Sequence, residues 1–316
     1  PAIYPLNEWE VTEENFDIKT NYRNETTFAL SNGYIGTRGT MEEAYDFDVD
    51  TGMEGNFING FYESTDIRYG EANFGSPLRS QTLLNLPNMK ETKVFVDGEE
   101  FSLMKSCVSD YHRTLYLKEG LVRRSLMWTT KSGKQLQMDS LRLVSFDRKH
   151  EMLQKMCLTA LNFEGKIEVK SRLNANVENQ TRKTNPIVDY GPFGRRLNPD
   201  LFGAEGTKLI YVGTTIGSEL SIGCGSEICV FPVEKGTEIN AKIENLEAFS
   251  TIRLQLHQNE TVTLDKFMVY VSCLDEYEGH LEEHIQEELR IAKQIGAEEL
   301  INRQKREYNH QNDGIY

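Results

Sequence analysis

The sequence predicts an all-β protein, a large antiparallel two-sheet sandwich followed by helices at its C-terminal end. Three observations predict it: many short β-rich runs between turn signals, Asp-Gly punctuation between alternating runs, and a switch to helical spacing after Asp275. At 316 residues the chain is long enough to bury a substantial core.

The strand grammar opens at Lys93 to Val96, turns at Asp97-Gly98 and continues from Phe101 to Met104. Asp-Gly suits a type I′ turn, which needs positive φ at both central positions. Similar runs follow at Leu121 to Thr129, across Lys131 to Lys134, into Gln135 to Leu143, then at Ile167 to Leu173 and Leu209 to Thr215. Further runs cover Leu220 to Gly223, Glu227 to Val233, Glu238 to Ile243, Ser250 to Leu256 and Val262 to Val271. Without intervening helices, strands this numerous build one two-sheet body and not βαβ units. The stretch from Asn185 to Gly206, rich in Pro, Gly and Asn and without a period, is expected as a long surface loop.

After Asp275, Leu281, Ile285, Leu289 and Ala292 fall on one helical stripe. Gly296 should end that helix and a second should start near Ala297, the stripe seeking cover from the sandwich or from something beyond Tyr316. The expected division is residues 1–275 as the β-sandwich domain and 276–316 as a helical linker.

A hydrophobic fraction of 38%, with no window approaching the ~18 apolar residues of a membrane helix, argues against a membrane partner. A net charge of −14 opposes a phosphate backbone, so no nucleic acid is expected. The start, PAIYPLNEWEV, shows no signal peptide, which makes cytoplasm the expected location. Five cysteines scattered through strand-like segments read as reduced thiols, and the glycosylation-type tripeptides at Asn24, Asn179 and Asn259 as chance matches.

Several constellations carry possible chemistry. Gly33, Gly36 and Gly39 lie three apart but lack the Lys-Ser/Thr of a P-loop; a tight turn at Asn32-Gly33 and close backbone approach at the others is the favoured reading. Arg38 beside Glu42 and Glu43 reads as an anion clamp or as a structural ion pair. His280-Leu-Glu-Glu-His284 fits H-x-x-E-H, two imidazoles one turn apart, but an acid-rich amphipathic helix yields that string easily, and no metal is expected. Cys224 and Cys229 read as core thiols, Trp9 and Trp128 as packed rings, and His112 as a structural histidine just before a strand. No catalytic carboxylate pair can be chosen among 49 acidic residues.

Beyond these, Trp9-Glu-Val11, Asn21-Tyr-Arg-Asn-Glu25 and Phe28-Ala-Leu-Ser-Asn-Gly-Tyr-Ile-Gly-Thr-Arg-Gly39 resemble the amino-terminal fingerprint of glycoside hydrolase family 65, the family of maltose, trehalose, kojibiose and nigerose phosphorylases. Phe57 to Glu63, Leu86-Pro-Asn88, Val94 to Glu99, Tyr111 to Leu115, Glu119 to Ser125 and Asn259 to Lys266 resemble successive segments of the same domain. The resemblance spans nearly the whole chain and is weakest between Asn179 and Gly206. It implies a galactose mutarotase-like super-sandwich joined by linker helices to an α/α-barrel that holds the catalytic glutamate and the phosphate pocket. The implied parent reaction is an inverting phosphorolysis of an α-linked glucose disaccharide, with inorganic phosphate as co-substrate and no other cofactor. None of the reacting groups falls in this sequence. The resemblance further implies a non-catalytic domain partnered by its own barrel in a homodimer, with Asn32, Tyr34 and Arg38 as rim residues facing the substrate. A hydrolase of the same family and a free-standing carbohydrate-binding module are the alternatives.

Overall fold

A computed structural model describes residues 3–44, 51–71, 74–179, 188–189, 194–233 and 236–312. Strand β1 (Glu10–Glu13) leads into α1 (Ile18–Thr27), which starts where the Asp17 carboxylate accepts from Lys19 N. Three short strands, β2 (Leu30–Ser31), β3 (Ile35–Thr37) and β4 (Asn56–Ile58), form a small sheet over one end of the body. An arm follows, in which β5 (Tyr62–Asp66) pairs with β7 (Arg79–Leu83) around β6 (Arg68–Tyr69).

The body begins with β8 (Thr92–Val96), β9 (Glu99–Glu100), β10 (Cys107–Tyr116), β11 (Leu121–Thr129), β12 (Gln135–Val144), β13 (Glu151–Ala160) and β14 (Gly165–Asn174). After β15 (Val188–Asp189) come β16 (Leu197–Glu205), β17 (Lys208–Thr215), β18 (Ser221–Phe231), β19 (Glu238–Glu244), β20 (Glu247–Leu256) and β21 (Thr261–Ser272). Helices α2 (Leu281–Ile295) and α3 (Ala297–Asn312) close the described chain. The nine-stranded sheet runs β1-β10-β11-β12-β13-β21-β18-β17-β16 and the five-stranded sheet β19-β20-β14-β8-β9, with every pairing antiparallel. This is the two-sheet sandwich that the strand grammar predicts.

Alternation explains why the sheets face each other. On β14, Ile167, Val169, Ser171 and Leu173 are buried while Glu168, Lys170 and Arg172 between them are not. Two apolar clusters fill the space between the sheets: one around Leu126, Trp128, Met156, Ile167 and Ile252, the other around Val122, Met152, Leu173, Tyr211 and Tyr270. A third lies on the opposite face of the nine-stranded sheet, where Ile285, Leu289 and Ala292 of α2 and Leu300 of α3 cover Leu143, Ile210, Phe267 and Val269. The helical stripe therefore finds its neighbour in the sandwich itself, and burying each large aliphatic side chain contributes roughly 1.5–3 kcal/mol.

Four expectations are corrected. Residues 197–205 of the anticipated long loop form the edge strand β16, which tolerates Pro199 because its register shifts there; residues 185–187 and 190–193 lie outside the described residues. The Asp97-Gly98 hairpin exists, with φ of 46° and 86°, but β9 is two residues long and Phe101 turns inward against Trp128. Leu220 to Gly223 and Glu227 to Val233 fall largely on one strand, β18. His112 sits exposed within β10, not ahead of a strand.

Candidate functional site

At one pole of the sandwich the segments from Asn32 to Tyr34, from Ser145 to Glu151 and from Ser272 to Glu288 converge. The Asn32 carboxamide oxygen accepts from Tyr34 N (3.0 Å) and Ile35 N (2.8 Å), a side-chain turn that suits asparagine. Its Nδ2 donates to Ser145 O (2.6 Å) and Lys149 O (3.0 Å), tying this turn to the β12–β13 loop. The Tyr34 hydroxyl donates to Asp275 Oδ2 (2.6 Å), and its ring meets His150 edge to face with centroids 4.8 Å apart. His150 meets His284 in the same way at 5.1 Å, and His284 stacks on Tyr277 at 4.1 Å with planes 2° apart. A cavity of about 490 Å³ opens beside Asp275 and Tyr277, walled also by Ser221, Cys273 and His280.

The charge state of this pole follows from its contacts. Burial raises the Asp275 carboxyl, but the Tyr34 hydroxyl and Ser272 N outweigh that and hold it below the usual range. Burial and the hydrogen bond to Asp275 push the Tyr34 phenol up. Burial lowers His150, and burial with the neighbouring His150 lowers His284, so both rings are neutral at pH 7. Glu151 is pushed up to about 7 by burial, which Arg148 only partly offsets. The pole thus combines a fixed carboxylate, two neutral imidazoles and a carboxyl that titrates near neutrality.

Arg38 lies at the other end of β3 from Asn32 and Tyr34. Its guanidinium donates to Met53 O (2.9 Å) and Tyr22 O (3.1 Å), lies over the Tyr22 ring and pairs with Glu25 at 3.5 Å. Glu42 and Glu43, its expected partners, instead face Arg124: Glu43 takes two hydrogen bonds from it (2.8 and 2.7 Å), and Glu42 pairs with it at 3.0 Å and with Arg142 at 3.8 Å. Burial raises the Glu42 carboxyl, and Arg124 and Arg142 outweigh it. A further buried pair, Glu13–Arg113 (2.8 Å), and a pair between buried Lys90 and half-buried Glu54 (2.7 Å) extend this layer. Sequence reading missed it, although charged residues at inward strand positions, such as Arg124 between Val122 and Leu126, are its signature.

The remaining candidates separate. His280 is the exposed residue heading α2, whereas His284 is buried against His150; among the described residues no group of three His, Cys, Asp or Glu is arranged to hold a metal ion. All five cysteines are free, and burial pushes the Cys224 thiol up. Trp9 lies under Lys118 and Trp128 is packed against Phe101. No described helix is long and apolar enough to cross a membrane.

Comparison with known proteins places this architecture. An α,α-trehalose phosphorylase of Thermoanaerobacter brockii is 36% identical over 303 residues, covering 96% of this chain and 39% of that enzyme. A kojibiose phosphorylase of the same organism is 25% identical over 288 residues, covering 89% and 34%. The chain thus spans well under half the length of these relatives. A solved structure provisionally named as a kojibiose phosphorylase from the human microbiome superposes with a TM-score of 0.81 over 96% of this chain and 38% of its own, at 18% identity, which shows the shared fold. Residues 11–311 match the family description "Glycosyl hydrolase family 65, N-terminal domain", and the chain belongs to that family.

Proposed function

We propose that this chain is the non-catalytic N-terminal domain of an inverting disaccharide phosphorylase that converts an α-linked glucobiose and phosphate into β-glucose 1-phosphate and glucose. One observation carries the reading: the N-terminal domain family matches from residue 11 to 311, and a trehalose phosphorylase more than twice as long is 36% identical over 96% of this chain. In such a reaction a glutamic acid protonates the glycosidic oxygen while phosphate attacks the anomeric carbon from the opposite face, taking the place of water in an inverting hydrolase. Both groups would belong to a barrel domain outside this sequence, to which residues 276–316 would lead as linker.

Within this reading the sandwich supports that barrel and a homodimer. Asn32, Tyr34 and Arg38 shape the rim through the turns and loops they hold, since their polar groups are engaged inside the domain. Five free thiols suit a reducing cytoplasm.

The test is a phosphorolysis assay on trehalose, kojibiose, maltose and nigerose, run on this chain and on the protein extended past Tyr316. Glucose 1-phosphate from the extended protein alone is the expected result, and the active sugar names the enzyme. Glucose released irrespective of phosphate sinks the phosphorylase reading. For the rim residues, alanine at Asn32, Tyr34 and Arg38 in the extended enzyme should alter turnover or KM; if both stay unchanged, the rim assignment fails.

A further inference from the structure

Between the two apolar clusters inside the sandwich runs a layer of polar side chains. On the nine-stranded sheet Arg142, Gln154 and Lys266 are register neighbours on β12, β13 and β21, and Ser226 stands on β18 opposite Met268, next along from Lys266. On the five-stranded sheet Thr92 and Ser171 are register partners. All six residues are buried, none more than 3% exposed.

Protein hydrogen bonds satisfy only part of this layer. Gln154 Nε2 and Lys266 Nζ both donate to Thr92 Oγ1, at 3.4 and 3.2 Å; Lys266 also donates to Glu91 O at 3.0 Å, and Arg142 Nη1 to Thr40 O at 3.0 Å. Arg142 Nε, Gln154 Oε1, Ser171 Oγ and Ser226 Oγ have no protein partner. An unpaired buried polar atom costs about 1–3 kcal/mol, so four of them would consume a large share of the ~5–15 kcal/mol that holds a domain together.

The four atoms also define what would satisfy them. One is a donor, one an acceptor and two are hydroxyls able to serve as either, a mixed set that suits water. An anion is disfavoured, because Glu42 and Glu43 already sit against Arg124 and Arg142. Glu91, whose carbonyl holds Lys266, lines with Arg172, Lys93 and Lys105 an open cavity of about 800 Å³.

We propose that this layer is an internal hydration site, in which ordered water is bound by Arg142 Nε, Gln154 Oε1, Ser171 Oγ and Ser226 Oγ. The Lys266 amine, which burial pushes down to about 7, then sits beside water and not only beside a carbonyl and a hydroxyl.

A high-resolution crystal structure of the protein tests the site directly. Water peaks within hydrogen-bond distance of these four atoms are expected; a dry layer, with the atoms turned onto protein partners, overturns the proposal. Oxygen-17 relaxation dispersion tests it in solution by counting long-lived waters. The Gln154→Leu/Ser226→Ala variant should lose at least one of them, and Ser226→Ala alone serves if the double variant does not fold. An unchanged count in the folded variant overturns the proposal.

Discussion

His150 and His284 meet edge to face with ring centroids 5.1 Å apart, joining the start of β13 to the first turns of α2. Both rings are held neutral mainly by burial, and each would suffer from a charge on the other. Groups facing the pair are Tyr34 from the β2–β3 turn, Lys149 from the β12–β13 loop, Asp275 and Tyr277 after β21, and Glu288 on α2, which Arg148 also holds. Because the folded-state values lie below the unfolded one, the unfolded chain binds more protons as pH falls below about 6.5, and stability is lost there. His284→Phe, which keeps a ring against Tyr277, should lessen the destabilisation between pH 7 and 5 in urea unfolding. An acid limb as steep as that of the unsubstituted protein would show that the pair does not sense pH.

Glu151 acts in the opposite direction. Its carboxyl is pushed up to about 7 against an unfolded value near 4.5, so the folded state binds the extra proton between those limits and stability falls as pH rises through them. The full shift corresponds to about 3.4 kcal/mol, of which about 2.5 kcal/mol falls between pH 5 and 8. Glu151→Gln should gain on the unsubstituted protein by that order between pH 5 and 8, since Arg148 retains Glu288 at 2.6 Å. Unfolding curves at pH 5, 6, 7 and 8 measure the difference, and a constant offset across them contradicts the assignment.

Arg124 holds the Glu42-Glu43 segment against β11. Removing one partner of a buried ion pair strands the other, at about 3–5 kcal/mol. Arg124→Met should cost that much, and adding Glu43→Gln should recover part of it, because Glu42 still has Arg142 at 3.8 Å. Equilibrium unfolding of the single and double variants decides; a single variant within about 1 kcal/mol of the parent would mean the pair carries no net weight.

The sandwich was legible because most strands alternate apolar and polar residues, and α2 because its stripe repeats at helical spacing. Helix α1 was not, because the residues it buries are Asn21, Asn24 and Glu25, so no apolar period exists to find. Those same residues belong to the fingerprint by which the family was recognised. Asn24 Nδ2 donates to Glu13 Oε1 (2.5 Å) and Asn21 Nδ2 to Glu25 Oε1 (2.8 Å), so a polar core appears in sequence as a motif and not as a period. The pairing of Arg38 with Glu42 and Glu43 failed for another reason. Four or five residues of irregular chain carry these carboxylates to β11 and β12, and nearness in sequence does not become contact outside a helix or a hairpin.

Two members of the glycine series follow the two reasons proposed for it, and Gly36 follows neither, since a Cβ there would meet only Ser31 Oγ at 3.9 Å. Gly33 turns with φ of 87° and a Cβ there would meet nothing within 4 Å, so only backbone strain opposes a side chain. At Gly39 a Cβ would lie 2.7 Å from Phe28 O and 2.8 Å from Phe28 Cβ, a contact with backbone that cannot swing aside. Gly39 N also donates to Glu25 O at 2.7 Å, and Gly39 O accepts from Arg113 Nη1 at 2.8 Å, so relief of the clash would pull on the buried ionic layer. Gly33→Ala should therefore cost about 1 kcal/mol, the ordinary penalty of a left-handed alanine. Gly39→Ala should cost more, about 2–4 kcal/mol, as overpacking with backbone displacement does. Thermal unfolding of the two variants side by side ranks them. Equal losses would place the Phe28–Gly39 contact in a backbone loose enough to yield, and the ionic layer would then not depend on glycine at that position.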